Sequence, residues 1–127
     1  MAAITDNKVK IGDYREIITH IGGYRFLSMT GSKIKYYGYN ESGYVYVMLK
    51  LAKNQSKANH LKIQLNSNDL YNMEFIQHKK TMNKEYKTIG LKVYEDEFIG
   101  VNTYENLYYD QLEEVFQSET GLYTRLF

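Results

Sequence analysis

Regular alternation of apolar and polar side chains in two neighbouring segments is the feature that most limits how this chain can fold. Within residues 44–52 and 60–66, the alternating apolar positions are Val45, Val47, Leu49, Leu51, Leu61, Ile63 and Leu65. Successive side chains of a strand point to opposite faces, so the pattern predicts strands that each place one face on a core. An antiparallel sheet is therefore expected at the centre of the fold.

Further strands are predicted on both sides of these segments. Runs rich in β-branched and aromatic residues, bounded by turn-forming residues, predict strands at 24–30, 33–39, 70–78 and 86–94. The turn Asn40-Glu41-Ser42-Gly43 joins residues 33–39 to residues 44–52 as a hairpin. A break is expected at residues 95–101.

Two helices are predicted, one before and one after the strands. Asp13 is the expected N-cap of a short first helix that ends at Gly22, and Asn102 is that of a second helix that ends at Gly121. The apolar stripe of the second helix is Tyr104, Leu107, Tyr108, Leu112, Val115 and Phe116. We therefore predict an α+β fold: a short N-terminal helix, an about five-stranded, mostly antiparallel meander sheet, and a C-terminal helix packed on one face.

Length and composition favour one domain without covalent staples. The chain has 127 residues, which is the usual size of a single domain. The prediction is one domain over residues 1–127, with residues 1–10 frayed and the apolar end at Leu122, Tyr123, Leu126 and Phe127 packed. The absence of Cys excludes disulfides, a Cys-ligated zinc site and a thiol nucleophile. No apolar run approaches the roughly 18 residues of a membrane span, and no signal peptide is recognised. We therefore expect a soluble, cytoplasmic protein.

A net charge of +1 conceals two oppositely charged parts. Residues 1–92 contain 15 basic and 7 acidic residues, or +8, whereas residues 93–127 contain 1 basic and 8 acidic residues, or −7. Such asymmetry suggests an anionic partner for the basic part, although the two parts can also neutralise each other within the fold.

The predicted hairpin gathers aromatic rings and ammonium groups on one face. If its turn pairs Tyr39 with Tyr44, that face consists of Lys33, Lys35, Tyr37, Tyr39, Tyr44, Tyr46, Met48 and Lys50. Flat rings stack on bases at ~1–3 kcal/mol per base whatever the sequence, and lysines neutralise phosphates. These residues other than Met48, together with Lys62, are the candidate site for single-stranded DNA or RNA. Further lysines that would extend it are Lys79, Lys80, Lys84 and Lys87.

Two other interpretations of this face remain open. Tyr is a good strand former, and cross-strand aromatic pairs stabilise sheets by themselves, so the rings can belong to a core. Tyr is also common at protein interfaces, so the face can meet a second subunit or another protein. A register slip of one residue would scatter the set.

Signals for catalysis or metal binding are weak. The three histidines, at positions 20, 60 and 78, lack zinc-motif spacing. Asp69, followed by Glu85 and Lys87, loosely matches the acid…acid-x-Lys pattern of metal-dependent nucleases, but Asp69 falls in a predicted turn. The chain lacks a complete phosphate-binding loop and a G-x-S-x-G motif. We expect no enzymatic activity and no cofactor.

Acidic residues concentrate in and around the second predicted helix. They are Glu105, Asp110, Glu113, Glu114 and Glu119. A solvated outer helix face is the ordinary interpretation. The alternatives are mimicry of nucleic acid and a cover over the protein's own basic sheet.

Three runs together resemble a known group of proteins: FLSMTG at 26–31, DLYNMEF at 69–75 and TGLYTRL at 120–126. The pattern M-T-G…D-L-Y-x-x-E-F…T-G-L-Y-x-R-L is similar to that of small uncharacterised proteins of bacteriophages and mobile elements. The resemblance implies a phage or mobile-element setting in a bacterial cytoplasm, and it transfers no activity and no site residue.

The residues favour a non-catalytic single-stranded nucleic-acid-binding protein, with a homodimer as one possible arrangement. The alternative is a phage interaction protein: an inhibitor of a host defence or polymerase, or an assembly component.

Overall fold

Five antiparallel strands form one open sheet in the computed structural model, which describes residues 10–82 and 84–122, without the side chains of residues 86 and 87. The strands are β1 (Lys33–Tyr39), β2 (Val45–Lys50), β3 (His60–Leu65), β4 (Tyr71–Met82) and β5 (Tyr94–Leu107). The helices are α1 (Tyr14–Ile21), α2 (Gly23–Thr30), α3 (Lys84–Thr88) and α4 (Leu112–Thr120), the last preceded by a 3₁₀ turn at Tyr109–Gln111. The strand order is β1-β2-β3-β4-β5, so the predicted α+β meander is confirmed. The predictions for residues 1–9 and for Tyr123, Leu126 and Phe127 lie outside the described residues.

One face of the sheet carries the core, and we call it the inner face. The alternating apolar positions of β2 and β3 are buried there, as predicted, against α1, α2 and α4. Phe26 of α2 meets Phe116 of α4 edge-on, with ring centroids 4.8 Å apart. We call the opposite face the outer face; over β1, β2 and β3, none of the helices that the structure describes packs on it.

The first helix begins where its cap was predicted, but the next segment is not the predicted strand. The Asp13 carboxylate accepts a hydrogen bond from the backbone N–H of Arg15 at 2.9 Å. Residues 24–30 instead belong to α2, because Gly22, with φ +128°, ends α1 and the second helix starts directly after it. Phe26 and Thr30, one helical turn apart, are then both buried.

In the described ranges, no helix is long and apolar enough to span a membrane.

The second predicted helix is partly wrong, because its first half belongs to β5. Asn102, the expected N-cap, lies opposite Phe75 of β4 within the ladder. Asn106, with φ +57°, lies in a register shift that lets Tyr104 and Leu107 both reach the inner face. That three-residue spacing imitates the spacing of a helix. The helix itself starts at residue 112, and Gly121 ends it as predicted.

Strands β4 and β5 extend beyond β3 as a two-stranded arm, residues 77–82 and 84–98, which replaces the predicted break and short strand. Their pairing runs continuously from His78 opposite Phe98 to Met82 opposite Tyr94. The tip contains α3, so the predicted strand at 86–94 is wrong as well. The arm flanks one end of the outer face.

Candidate nucleic-acid interface

The β1–β2 hairpin has two registers, separated by a bulge at Lys35. Lys33 lies opposite Lys50, as predicted. Beyond the bulge, however, Tyr39 lies opposite Val45 and not opposite Tyr44, so the predicted register is wrong by one residue at the turn. The physical cause is Asn40. Its side-chain oxygen accepts from the backbone N–H groups of Ser42 and Tyr44, and its own N–H donates to the Tyr44 carbonyl, each at 2.9 Å, so Asn40 pairs with Tyr44 and only residues 41–43 form the loop.

Three candidate tyrosines lie outside the predicted face, two of them because of the shifted register. Tyr37 and Tyr39 lie on the helix side, since their partners are core residues of β2. The Tyr37 ring stacks on Tyr14 of α1, and the Tyr39 hydroxyl donates to the carbonyl of Gly12 at 3.1 Å. Tyr44 is half-buried against the core. These three side chains fit the structural interpretation of the tyrosines.

The same shift brings Tyr36 onto the outer face, beside Tyr46. The two rings meet edge-on, with centroids 6.3 Å apart and planes at 87°. Gly38 makes room for this pair, because a Cβ there would lie 3.2 Å from the Tyr46 hydroxyl oxygen. The Lys62 ammonium sits 5.0 Å from the Tyr46 ring centroid. Two rings and a cation therefore form a continuous patch, smaller than the predicted set of four rings.

A groove of about 530 Å³ adjoins this patch at the end of the outer face nearest the arm. Its lining residues are Lys33, Ile34, Lys35, Lys50, Asn59, His60, His78, Lys79 and Lys80. We call it the basic groove. Three of its lysines, Lys33, Lys35 and Lys50, belong to the predicted site. In the part of the chain that the structure describes, none of the five groove lysines forms an ion pair with a carboxylate.

Asn59 determines which ring nitrogen of His60, at the floor of the groove, carries the hydrogen. Its amide is oriented by the backbone of His78: the side-chain nitrogen donates to the His78 carbonyl and the side-chain oxygen accepts from the His78 N–H, each at 2.8 Å. That oxygen also lies 2.8 Å from His60 Nδ1, which must therefore carry the hydrogen. His60 Nε2 is then the acceptor for the Lys35 ammonium at 3.2 Å.

Burial and like charge keep His60 neutral. The residue is 6% exposed, and burial, followed by the positive charge of Lys35, lowers its pKa from the ordinary value of 6.5. His78 and Lys50 act in the same direction. A neutral imidazole thus holds the Lys35 ammonium in a defined position.

His78 forms the wall of the groove toward the arm. Its ring lies 5.4 Å from that of His60 and is stacked on Phe98, with centroids 4.6 Å apart and planes at 15°. Its Nε2 donates to Asp96 at 3.1 Å. Phe98 is 65% exposed, so a flat aromatic surface borders the basic groove.

The acidic helix packs against the inner face, on the opposite side of the sheet from the basic groove. Leu112 and Phe116 are fully buried in the core, and Glu119 accepts from the Tyr104 hydroxyl at 2.7 Å. The interpretation that this helix covers the protein's own basic surface is therefore wrong. The outer face has acid at its other end, where Glu74 and Glu105 line a small depression.

Sequence reasoning missed several residues of this face. They are Tyr36, His60, His78, Lys79, Lys80 and Phe98, of which the two lysines were considered only as extensions. The alternation of β3 places His60 and Lys62 together on the outer face, and this signal was readable. The position of Phe98 beside His78 could not be predicted from the sequence, because it depends on the unexpected β4–β5 pairing.

The nuclease pattern and a histidine metal site find no support in the geometry. Asp69 and Glu85 lie beyond opposite ends of β4, which has 12 residues, and so are separated by roughly 35 Å of strand. Across residues 10–82 and 84–122, no group of three or more His, Asp or Glu side chains could hold a metal ion.

Comparisons with known proteins found no match to a protein-family model, to a curated protein or to a solved structure.

Proposed function

We propose that this protein is a non-catalytic, single-stranded nucleic-acid-binding protein that uses the outer face of its sheet. The carrying observation is that the outer face brings the Tyr36 and Tyr46 rings and Lys62 next to a groove that five lysines line. Those five lysines are Lys33, Lys35, Lys50, Lys79 and Lys80. The resemblance to phage proteins suggests a phage-encoded protein acting in a bacterial cytoplasm.

The two kinds of side chain have complementary roles on a single strand. Tyr36 is 45% exposed and presents a ring to an unstacked base, with little preference for sequence. The lysines neutralise phosphates and release the counterions bound there. Stacking and charge neutralisation on one open surface are what a flexible polyanion with flat bases requires.

The acidic residues of the outer face restrict the path that the bound strand can follow. Glu74, opposite Lys62 on the outer face, repels phosphates from the β3–β4 side. The favourable path therefore follows β1 and β2, from Tyr46 past Tyr36 to the basic groove. A path across the strands toward β5 would leave the lysines.

Fluorescence anisotropy with internally labelled single-stranded DNA and RNA at two salt concentrations tests the proposal. If about four lysines contact phosphates, log K should fall with log salt at a slope of ~−3. The variant Tyr36→Ala should weaken binding, whereas Tyr24→Ala, which removes an exposed tyrosine of α2 on the helix side, is the matched control. Failure to bind at roughly tens of micromolar in low salt, weaker than ordinary non-specific binding, would contradict the proposal.

The arm favours a second candidate function, binding to another protein. Its large exposed apolar side chains are Ile89, Leu91, Tyr94 and Phe98. Such a concentration of apolar groups is typical of interaction sites. A nuclease-treated pull-down from bacterial lysate, in which a partner is retained by the protein but lost with Leu91→Asp, would favour this function. Sedimentation of the protein alone tests whether the partner is a second copy.

A further inference from the structure

The basic groove concentrates more positive charge than one internal phosphodiester neutralises. Five lysines surround it, whereas each internal phosphate of a strand carries one negative charge. A terminal phosphate carries about −1.5 to −2 near pH 7 and offers three acceptor oxygens. The charge of the groove is thus better matched by a phosphomonoester.

The groove also lies where the path of the strand ends. Tyr46, Tyr36 and Lys33 occupy successive positions along the hairpin toward the arm, and Lys33, Lys50 and His60 form the last row across the strands. Beyond this row, Lys79 and Lys80 have Glu97 and Asp96 as their partners on β5, so a continuing phosphate backbone would meet less net positive charge on the arm. A strand that follows the rings is therefore expected to terminate here.

One groove lysine is held ready for a tetrahedral anion. The Lys35 ammonium has three N–H donors, of which one is directed to His60 Nε2. The other two are available for phosphate oxygens, while Asn59 keeps the imidazole in the tautomer that accepts. His60 is thus a positioning residue for Lys35.

We infer that the basic groove is a phosphomonoester site that receives the terminal phosphate of the single strand bound to the outer face. This inference rests on the proposed function. Lys35, Lys33 and Lys50 donate to the phosphate oxygens, and Lys79 and Lys80 neutralise its charge from the arm.

The test compares oligonucleotides of one sequence that differ only at their ends: 5′-phosphorylated, 3′-phosphorylated and unphosphorylated. Anisotropy is measured at about pH 8, where the second ionisation of a phosphomonoester, near pKa 6, is complete. Because charge-assisted hydrogen bonds are the strong ones, one phosphorylated end should raise affinity roughly tenfold. Equal affinity for all three would overturn the inference and leave the proposed function intact, whereas binding of none would overturn both.

Variants of the groove lysines test whether the gain in affinity comes from the basic groove. Lys33→Ala/Lys50→Ala should abolish the preference for the phosphorylated end. The matched control is Lys53→Ala/Lys57→Ala, in a loop whose Gln55 and Ser56 bond to α4. Loss of the preference in the control as well would place the effect outside the groove and contradict the inference.

The role of His60 and the source of the phosphate have separate readouts. His60→Leu should reduce the gain from a terminal phosphate, measured as the ratio of the affinities for the phosphorylated and unphosphorylated strands, and His60→Gln, which restores an acceptor, should recover part of it. An unchanged gain in His60→Leu would remove His60 from the site.

If thymidine monophosphate displaces the phosphorylated strand at equal concentration, the ligand is a free nucleotide and the assignment to a strand end is wrong.

Discussion

The ring of Tyr14 lies flat on the ring of Tyr37, with centroids 3.7 Å apart and planes inclined by 14°. This contact joins α1 to the edge strand of the sheet and places Tyr37 on the side away from Tyr36. Two consecutive tyrosines of β1 therefore lie on opposite faces of the sheet: Tyr37 packs on the helix layer, and Tyr36 lies on the outer face, where we propose that it contacts a base.

The substitution Tyr37→Ala should lower the free energy of unfolding by about 1 kcal/mol, since it removes an aromatic pair. Tyr36→Ala should lower it by less, about 0.5 kcal/mol, because the edge-on pair with Tyr46 has ring centroids 6.3 Å apart, a more distant contact than the stacked pair. Urea denaturation followed by circular dichroism measures both. The opposite ranking would mean that Tyr36 is the structural residue of the pair.

The affinity for single-stranded DNA should depend more on Tyr36 than on Tyr37, the reverse of the ranking for stability. Tyr36→Ala should weaken the affinity for single-stranded DNA by roughly tenfold, in keeping with the loss of one stacked base. Folded Tyr37→Ala should bind within about twofold of the unmodified protein, a change well below the energy of one stacked base. Anisotropy at a temperature where both variants are folded compares them, and equal losses would argue against the outer face as the binding surface.

Each groove lysine that contacts a phosphate should contribute to the salt dependence. Lys50→Ala should make the slope of log K against log salt less negative by about 0.7, the expected value for one phosphate of a single strand. Lys57→Ala should leave the slope unchanged. An unchanged slope for Lys50→Ala would show that this lysine contacts no phosphate.

Gly38 tests whether the two outer rings act together. In Gly38→Ala the added Cβ would approach the Tyr46 hydroxyl to 3.2 Å, so the ring must move away from its position beside Tyr36. We expect weaker binding, with a shift of the Tyr46 ring resonances in NMR spectra. Ring resonances that remain in place, with affinity unchanged, would show that the close approach is not needed.

Protonation of His60 should destabilise the folded protein. Its folded pKa lies below 6.5 because of burial and then Lys35, with His78 and Lys50 adding to the effect. Between that lowered pKa and 6.5 the unfolded chain therefore binds more protons. The stability that neutral His60 contributes should be fully present above pH 6.5. The free energy of unfolding should fall as the pH is lowered through this window.

The comparison with His60→Gln isolates this contribution. Urea denaturation at several pH values on both sides of 6.5 should show a shallower decline for the variant, since the other histidines are common to both proteins. Identical declines would mean that His60 is not the group that titrates.

Local patterns predicted the parts of the fold that depend on local interactions. The strands β1, β2 and β3, the Asp13 cap and the helix ends at Gly22 and Gly121 follow from alternation and turn chemistry within a few residues. The segment 94–107 was misassigned because a bulge at Asn106 gives Tyr104 and Leu107 a helical spacing. Only its pairing with β4, distant in sequence, reveals the strand.

The candidate site was half predictable for the same reason. Alternation alone placed Lys33, Lys35, Tyr46 and Lys50 together opposite the apolar face of the hairpin, and Lys62 was added to them as an extension. The exchange of Tyr37 for Tyr36 depends on the bulge at Lys35 and on the way in which the Asn40 side chain closes the turn. Lys79, Lys80 and His78 join the site through the arm, which no local pattern indicated.

The position of the acidic helix α4 on the helix side, with the basic groove on the outer face, has a consequence for the rate at which the proposed single strand would associate. With a net charge of only +1, the protein exerts little attraction on a polyanion beyond a Debye length of about 8 Å. Within that distance the separated charges act as a dipole that turns the outer face toward the approaching strand. Association should therefore be governed by orientation at short range rather than by long-range capture.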